Sequence, residues 1–312
     1  MKKRLIDFLI CPSCKKEMVL LPQVIDGDEV VLGILKCGCG EDYNIKGGIP
    51  RFVKTDEYVW SFSFEWKVHK DTQLDSCNRD ALSENQMKER LDFDLADLKG
   101  KLVLDAGCGV GRFAEVAAKY GAEVVCADLS YAVESAYKNI GKLKNIHIIQ
   151  ADIFKLPLKP AIFDLVYSYG VLHHTPDAKL AFSAIVKFVR PQGKISIFVY
   201  SSYNKAIVYS SRFWRAFTTR MPKRLLYYLS FISVPLYYLY KIPLIGNIGK
   251  MVFVIPMYKD WRLRILDTFD WYSPKYQSKH THWEVFKWFQ DNGIRDIKIY
   301  PNEVTMSGVK AS

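Results

Sequence analysis

The fold of this 312-residue chain is decided by residues 102–113, Leu-Val-Leu-Asp-Ala-Gly-Cys-Gly-Val-Gly-Arg-Phe. A short apolar run ends in an acid, Asp105, and glycines follow at alternate positions, Gly107, Gly109 and Gly111. A buried strand that passes through a glycine-rich turn into a helix brings the backbone of an open α/β sheet close to a nucleotide-like cofactor. The stretch therefore predicts the first strand of such a sheet, followed by a cofactor-binding turn.

The acid at the end of this strand indicates which cofactor is bound. A dinucleotide fingerprint spaces its glycines G-x-G-x-x-G, whereas here the third glycine comes one residue early and Arg112 stands in its place. A carboxylate beside the turn repels phosphate but suits the positively charged amino and sulfonium groups of S-adenosylmethionine. The D-x-G-x-G-x-G pattern resembles the first motif of class I methyltransferases. That resemblance implies that Asp105, Gly107, Gly109 and Gly111 bind S-adenosylmethionine.

Further acids follow the next predicted strands, which span residues 122–127, 146–150, 163–168 and 194–200. Asp128, followed by Leu129, stands where one carboxylate can accept from both hydroxyls of a ribose. In class I methyltransferases an acid such as Asp152 accepts from the adenine amino group, and the next apolar residue, here Ile153, packs on the ring. Acids at three consecutive strand ends match the order of that family.

Residues after the fourth strand are the candidates for contact with the cofactor and for catalysis. Tyr169 is expected to contact the cofactor. Methyl transfer from a sulfonium mainly requires that donor and acceptor be held together in a dry site. A hydroxyl acceptor also needs a base, and His173 and His174 are the nearest candidates. The alternative is that both histidines have only a structural role.

The C-terminal residues complete the predicted sheet. Thr281 begins a helix that runs through Gln290, and strands over 294–300 and 304–309 are expected to pair as an antiparallel edge. The predicted fold is therefore α/β, with a seven-stranded Rossmann-like class I methyltransferase sheet. A helix is predicted over 79–98. Residues 270–276 resemble a family segment that approaches the substrate pocket.

Four cysteines near the N-terminus have metal-like spacing: Cys11, Cys14, Cys37 and Cys39. Four thiolates from two tight turns can surround Zn²⁺ tetrahedrally. Together with hairpin-like segments between the pairs, residues 5–53 resemble the Trm112-type zinc ribbon, which implies a structural zinc. A metal-free ribbon and a redox role for the first pair are the alternatives.

The ribbon's charge bears on whether it contacts RNA, as similar ribbons do in ribosomal RNA methyltransferases. Residues 1–60 carry nine Lys/Arg and nine Asp/Glu, with acids at the predicted hairpin tip over 26–29. Phosphates are neutralised mainly by Lys and Arg. The balanced ribbon is therefore interpreted as a packing and partner-contact module, and RNA remains the less favoured partner.

A predicted helical insertion over 201–262 carries most of the chain's net charge. It holds ten Lys/Arg and one acid, hence +9 of the total +11, and 14 of the 44 aromatic residues. Residues 225–240 are uncharged and contain Pro235, a pattern that suits a helix lying in a membrane interface. We therefore expect residues 205–262 to contact an anionic membrane. A lid over an oily substrate, single-stranded RNA binding and simple packing are the alternatives.

The sequence thus predicts an S-adenosylmethionine-dependent methyltransferase with a small-molecule or lipid-like acceptor. An RNA base methyltransferase and a non-catalytic scaffold are the alternatives. Seven cysteines, four of them with metal-like spacing, and the lack of 18 consecutive uncharged apolar residues predict a cytoplasmic protein, peripheral at the inner membrane surface if the insertion docks there. The expected divisions are a zinc ribbon, a linker with an aromatic-rich cap, the cofactor-binding core, the insertion and the C-terminal completion, over residues 1–54, 55–100, 101–200, 201–262 and 263–312.

Overall fold

The computed structural model describes residues 1–53, 73–78, 81–301 and 303–312. The aromatic stretch over 58–66, part of the predicted cap, lies outside these residues. The strands are β1 Met18–Asp26, β2 Glu29–Cys37, β3 Asp42–Lys46, β4 Ile49–Pro50, β5 Leu102–Ala106, β6 Glu123–Asp128, β7 Ile146–Gln150, β8 Phe163–Tyr169, β9 Val189–Val199, β10 Ile294–Tyr300 and β11 Val304–Lys310. The helices are α1 Asp75–Asn78, α2 Leu82–Lys88, α3 Arg112–Lys119, α4 Ala132–Ile140, α5 Ala178–Val186, α6 Lys205–Thr218, α7 Lys223–Ser230, α8 Ser233–Leu239, α9 Pro243–Val252, α10 Trp261–Tyr272 and α11 His282–Asp291.

Seven strands form the central sheet in the order β10-β11-β9-β8-β5-β6-β7. Strands β5 to β9 pair in parallel, and β11 lies antiparallel between β9 and β10. The parallel strands are short and almost entirely buried, because helices cover both faces of such a sheet. The predicted α/β fold with an antiparallel edge is confirmed.

The two faces of the sheet are covered by different elements. Side chains alternate along each strand, so that Val103 and Leu104 enter separate apolar clusters. One cluster includes side chains of α3 and α4, and the other includes side chains of α5, α11 and the N-terminal module. The carboxyl ends of β5 to β8 remain free of this packing and form the edge at which ligands bind in open α/β sheets.

The N-terminal module is a four-stranded antiparallel sheet, β1 to β4, that joins the end of the central sheet at β7. Arg51 forms a parallel bridge with Gln150, and the Phe52 backbone N–H donates to Gln150 O at 2.8 Å. A second bridge joins Leu9 to Leu158. The module therefore covers the edge of the sheet beside the cofactor-binding strands.

The prediction of one helix over 79–98 is wrong. Within the described residues of this range, α2 ends at Lys88 and a separate 3₁₀ turn covers Leu95–Leu98. The Asp75 carboxylate accepts from the N–H groups of Ser83 and Glu84, and so caps α2 from outside that helix. Asp94 then caps the 3₁₀ turn by accepting from Ala96 N–H. The apolar spacing fitted one helix, but the Asp75 cap sets the start of α2 and the Asp94 cap starts a separate turn.

The insertion is helical, as predicted. Its helices α6 to α9 precede α10, and α6, α7 and α8 pack against α10. The uncharged stretch 225–240 forms two short helices rather than one. Among the described residues, no helix has the length and hydropathy needed to cross a bilayer.

Candidate cofactor and acceptor site

The turn after β5 has a backbone that only glycine adopts easily. Gly107 and Gly111 have φ angles of 95° and 90°, in the left-handed region. A Cβ at Gly107 would overlap the Val171 side chain, and one at Gly111 would overlap Ile140. These glycines therefore allow the turn after β5 to pack closely between the loop that follows β8 and helix α4.

A cleft opens at the carboxyl ends of β5 to β8 beside this turn. Its empty space is about 910 Å³, open solvent at its mouth included. Six of the nine residues predicted to bind the cofactor line it: Gly107, Gly109, Asp128, Leu129, Ile153 and Tyr169. The cleft therefore lies where residues at the carboxyl ends of the strands were predicted to bind a cofactor.

The other three predicted residues do not line the cleft. Asp105 is 2% exposed and accepts from Tyr167 Oη at 3.0 Å, and burial raises the pKa of its carboxyl to about 8. Gly111 is the N-cap residue of α3. The Asp152 carboxylate accepts from Phe154 N–H at 3.0 Å and caps a 3₁₀ turn. Gly111 and Asp152 therefore shape the backbone beside the cleft, whereas Asp105 is held by a buried side chain.

Asp128 is held by its own neighbours in an orientation that suits ligand binding. Its carboxylate accepts from Gly109 N–H at 2.9 Å, from Ser130 N–H at 2.8 Å and from Ser130 Oγ at 2.7 Å. Burial raises the pKa of Asp128 although these hydrogen bonds lower it. The hydrogen bond from Gly109 thereby connects the turn after β5 to the end of β6.

The two candidate histidines occupy different positions. His174 lines the cleft, and its Nδ1 donates to Tyr276 O at 3.0 Å. His173 is fully buried and stacks on Tyr200 with ring centroids 3.8 Å apart. Burial lowers the pKa of His174 to about 3 and that of His173 well below its usual value. Both rings are therefore neutral at pH 7.

A pair of carboxylates that the sequence reasoning did not identify lies beside Tyr200, the residue on which His173 stacks. Asp267 and Asp270 are one turn apart on α10, and Tyr200 Oη donates to Asp270 Oδ2 at 3.2 Å. Burial raises the pKa of Asp267 to about 6, and burial together with the Asp267 charge raises the pKa of Asp270 to about 7. The available signal was Asp270 at the start of the segment expected to approach the substrate, with a second acid, Asp267, three residues before it.

Arg112 connects this pair to the cofactor cleft. It lines the cleft, and its charge lowers the pKa of Asp267 against the effect of burial. Arg112 was noted in the sequence only because it replaces the third glycine of a dinucleotide fingerprint. Val171, Phe113 and Gln73 also line the cleft, and no motif in the sequence pointed to them.

The four predicted metal-ligand cysteines come together in the N-terminal module. Their sulfur atoms all lie within 4.8 Å of one another, with Cys14 and Cys37 at 3.4 Å and Cys11 and Cys39 at 3.7 Å. A tetrahedral Zn²⁺ with Zn–S bonds of ~2.3 Å separates its sulfurs by ~3.8 Å, whereas a disulfide needs ~2.05 Å. The donor set and spacing therefore fit zinc.

The turns that carry these cysteines end in the same way. The residue after each pair, Lys15 in the first turn and Gly40 in the second, has a left-handed backbone with φ of 63° and 93°. Lys15 N–H donates to Cys11 O, and Gly40 N–H donates to Cys37 O. The shorter C-x-C spacing of the second pair is therefore accommodated by a glycine.

Comparison with known proteins identifies the core of the chain. Residues 104–197 match the family described as Methyltransferase domain. A tRNA U34 carboxymethyltransferase of Ruthia magnifica subsp. Calyptogena magnifica is 33% identical over 131 residues, 40% of this chain and 39% of that protein. A ubiquinone biosynthesis O-methyltransferase of Coxiella burnetii is 33% identical over 115 residues, 36% of this chain and 49% of that protein.

The chain is similar to two further proteins. A malonyl-[acyl-carrier protein] O-methyltransferase of a Methylovorus species is 32% identical over 36% of this chain and 42% of that protein. A solved complex of the Haloferax volcanii Trm112 methyltransferase activator with a methyltransferase has a TM-score of 0.47 and 14% identity, covering 83% of this chain and all of that chain. The chain thus spans between about two fifths and one half of the length of these three relatives. Residues 104–197, which hold the cofactor turn and most of the residues that line the cleft, thus match a methyltransferase domain.

Proposed function

We propose that this protein transfers a methyl group from S-adenosylmethionine to a small-molecule or lipid-like acceptor. The observation that carries the proposal is the cleft at the strand ends, where Asp128 faces the glycine turn within the matched domain. The relatives' names include O-methyltransferases of a quinone and of an acyl carrier. These names support acceptors with hydroxyl or carboxyl oxygens.

The residues that would hold the donor follow from the cleft. Asp128 would accept from the ribose hydroxyls, because its carboxylate is fixed beside Gly109 and accepts hydrogen bonds readily when ionised. Leu129 and Ile153, which line the cleft, would supply apolar contacts for the adenine, and Tyr169 lines the same cleft. When bound, the donor supplies a methyl group on a positively charged sulfur, which makes that methyl electrophilic.

On the acceptor side we propose Asp270 as the base. Its Oδ1 is buried and has no hydrogen-bond partner among the residues that the structure describes, whereas Oδ2 is held by Tyr200. A carboxyl pKa near 7 suits proton removal at neutral pH better than a buried imidazole with a pKa of about 3. The acceptor hydroxyl would give its proton to Asp270 as its oxygen bonds to the methyl. His174 is the competing candidate.

We also propose that Cys11, Cys14, Cys37 and Cys39 hold one structural Zn²⁺. The four sulfurs leave no open position for a substrate, as expected for a site that stabilises a fold rather than one that catalyses a reaction. Metal analysis of the purified protein should find one zinc per chain. A metal-free preparation that unfolds at the same temperature would contradict the proposal.

Calorimetric titration with S-adenosylmethionine tests the proposed function. The wild-type protein should bind the donor, and Asp128→Ala should weaken binding at least tenfold because the ribose loses its acceptor. Asp291→Ala is the matched control, since this exposed acid on α11 pairs with Lys179 at the surface. Absence of binding by folded wild-type protein, or equal binding by Asp128→Ala, would overturn the proposal.

The acceptor is found by comparing metabolites and lipids of cells with and without the protein. A product heavier by the mass of one methylene, about 14 daltons, identifies the substrate pair. Purified RNA incubated with labelled donor forms the parallel arm. Label in RNA and in no small molecule or lipid would replace the proposed acceptor class by the RNA alternative.

A further inference from the structure

We propose that the outer face of α9, together with the cationic insertion around it, docks on an anionic membrane surface. The docking surface is defined by Leu244, Ile245, Ile248, Met251 and Val252 of α9 and by the exposed cations of residues 205–259. Docking of this kind determines the location of the protein and not the reaction that it catalyses.

The side chains of α9 are arranged in the opposite way to those of a helix that faces water. Its small residues point inward: a Cβ at Gly246 would overlap the Tyr240 carbonyl oxygen, and one at Gly249 would overlap the Tyr240 ring. Its large apolar residues point outward, with Leu244 73% exposed and Ile248 58% exposed. A helix on a water-exposed surface normally buries its apolar stripe and exposes polar groups. This one exposes hydrocarbon, which indicates a partner for that face.

Exposed hydrophobic side chains also occur in the other parts of the insertion. Among the described residues, 18 of the 28 exposed large hydrophobic side chains lie between residues 203 and 261. Scattered exposed hydrophobic residues are normal on a protein surface, but a concentration of them marks an interaction site. The rest of the described chain, although several times longer, holds only ten.

The charge of the insertion determines the sign of its partner. Six cationic side chains of residues 205–259 are exposed: Lys205, Arg212, Arg220, Arg224, Lys241 and Lys259. No Asp or Glu occurs between residues 203 and 259, and the next acid, Asp260, is paired with Arg262 at 3.0 Å. A second copy of this face would carry the same positive charge and be repelled. The partner is therefore negatively charged and has hydrocarbon at its surface.

Lipid fits these two requirements better than nucleic acid does. Proteins that bind single-stranded RNA offer aromatic rings on which bases stack. The outer face of α9 instead offers aliphatic side chains, which cannot stack but can enter the acyl region below lipid headgroups. Lys and Arg beside them attract the headgroups of anionic lipids.

Docking in this way would bring the proposed acceptor site to the membrane. The inner helices of the insertion pack on α10, which carries Asp267 and Asp270, and Lys279 Nζ donates to Ser211 Oγ of α6 at 3.0 Å. This consequence rests on the proposed function, since it supplies a lipid-like acceptor from the bilayer. The docking itself does not depend on it.

Vesicle sedimentation tests the proposal with the full-length protein. We expect the wild type to pellet with vesicles of equal phosphatidylcholine and phosphatidylglycerol at low salt, and to stay in the supernatant with phosphatidylcholine alone. The variant Leu244→Ser/Ile248→Ser/Met251→Ser should lower the partition at least tenfold. The matched control Val19→Ser/Leu21→Ser/Val24→Ser changes exposed apolar residues of β1 and should leave the partition unchanged.

A second variant distinguishes the electrostatic contribution to vesicle binding from the hydrophobic one. Arg224→Glu/Lys241→Glu should also weaken pelleting at least tenfold, and added salt should weaken the wild type in the same direction. Donor binding, measured on the same preparations, should stay unchanged in every variant, so that a failure of docking is distinguished from a failure of the methyltransferase proposal. Absence of pelleting by the wild type, or equal pelleting by the serine triple variant, overturns the proposal. Tight binding of poly(U) RNA that vesicles do not displace overturns it in favour of RNA.

Discussion

Arg51 of the N-terminal module donates from Nη1 to Gln150 Oε1 at 2.9 Å, at the end of β7. The Gln150 amide in turn donates to Leu129 O at 2.9 Å, and Leu129 lines the cofactor cleft. Gln150 is 2% exposed, so its amide has no water to replace a lost partner. One buried side chain therefore links the cysteine module to the residue that follows Asp128. The module supports the cleft as well as covering the sheet edge.

Arg51→Ala is expected to weaken S-adenosylmethionine binding about two- to tenfold. The change leaves the buried Gln150 oxygen without its donor, and a lost hydrogen bond of this kind costs ~1–3 kcal/mol, part of which appears as disorder at Leu129. Titration calorimetry measures the effect. Arg190→Ala is the control, because Arg190 is an exposed cation that pairs with Asp164 and does not reach the cleft. Equal affinity in wild type and Arg51→Ala would show that the module only covers the sheet.

Removal of the metal is expected to act through the same connection. Cys14→Ser should reduce zinc content, lower the melting temperature and weaken donor binding by at least as much as Arg51→Ala, because the module's fold positions Arg51. Cys77→Ser changes an exposed cysteine outside the cluster and should behave as wild type. Metal analysis, thermal unfolding and donor titration on both variants provide the comparison. A Cys14→Ser protein with unchanged stability and full donor affinity would refute this coupling.

Gly107→Ala is expected to destabilise the protein by about 2–4 kcal/mol. Its left-handed φ of 95° costs a side-chain-bearing residue ~1–2 kcal/mol, and the added methyl overlaps Val171, which adds a similar overpacking cost. Gly100→Ala separates the two effects, because Gly100 has a φ of 73° but open space around its Cβ position. Urea denaturation should show the smaller loss for Gly100→Ala. Equal losses would mean that contact with Val171 is relieved at no cost.

The sheet and the cleft were predictable because both depend on local signals. Asp128 and Leu129 follow an apolar run directly, and parallel strands bring such ends to one edge. Asp152 was placed at the right strand end, but its carboxylate is used by the backbone of the next turn, a competition that sequence does not reveal. Asp270 and Tyr200 are 70 positions apart, and their hydrogen bond depends on the path of the insertion between them. The cap that Asp75 gives to α2 likewise comes from outside the predicted helix, which is why that helix was drawn too long.

Asp105→Asn is expected to flatten the pH dependence of stability of the donor-free protein. The carboxyl has a pKa of about 8 when folded and ~3.9 when unfolded, so the folded state holds the extra proton between these values. Stability therefore falls as pH rises from about 5 to 8, by up to ~1.4 kcal/mol per pH unit from this group. Other buried groups titrate alike in both proteins, and their contributions cancel in the difference. Urea denaturation at several pH values measures the free energy of unfolding of both proteins. If the free energies of wild type and Asp105→Asn change with pH in parallel, the prediction is contradicted.

Asp270→Asn is expected to lower the rate of methylation of a hydroxyl acceptor about 10²- to 10⁴-fold while leaving donor affinity unchanged. The wild-type rate should rise with pH and level off above about 7, since the raised pKa of Asp270 keeps its carboxyl protonated below that pH. The variant should lose this rise, because an amide has no proton to give up. Rates measured from pH 5 to 9, with the acceptor identified by the mass comparison, provide the test.

His174→Gln is the matched comparison for the same reaction, since it removes the imidazole that lines the cleft and retains a polar side chain. If Asp270 is the base, His174→Gln should keep the wild-type pH profile even where its maximal rate is lower. If the imidazole is the base, its pKa of about 3 leaves the wild-type rate level from pH 5 to 9, and His174→Gln rather than Asp270→Asn should abolish the reaction. The two profiles therefore assign the proton to one side chain, because a merely structural change lowers the rate at every pH without moving the midpoint of the rise.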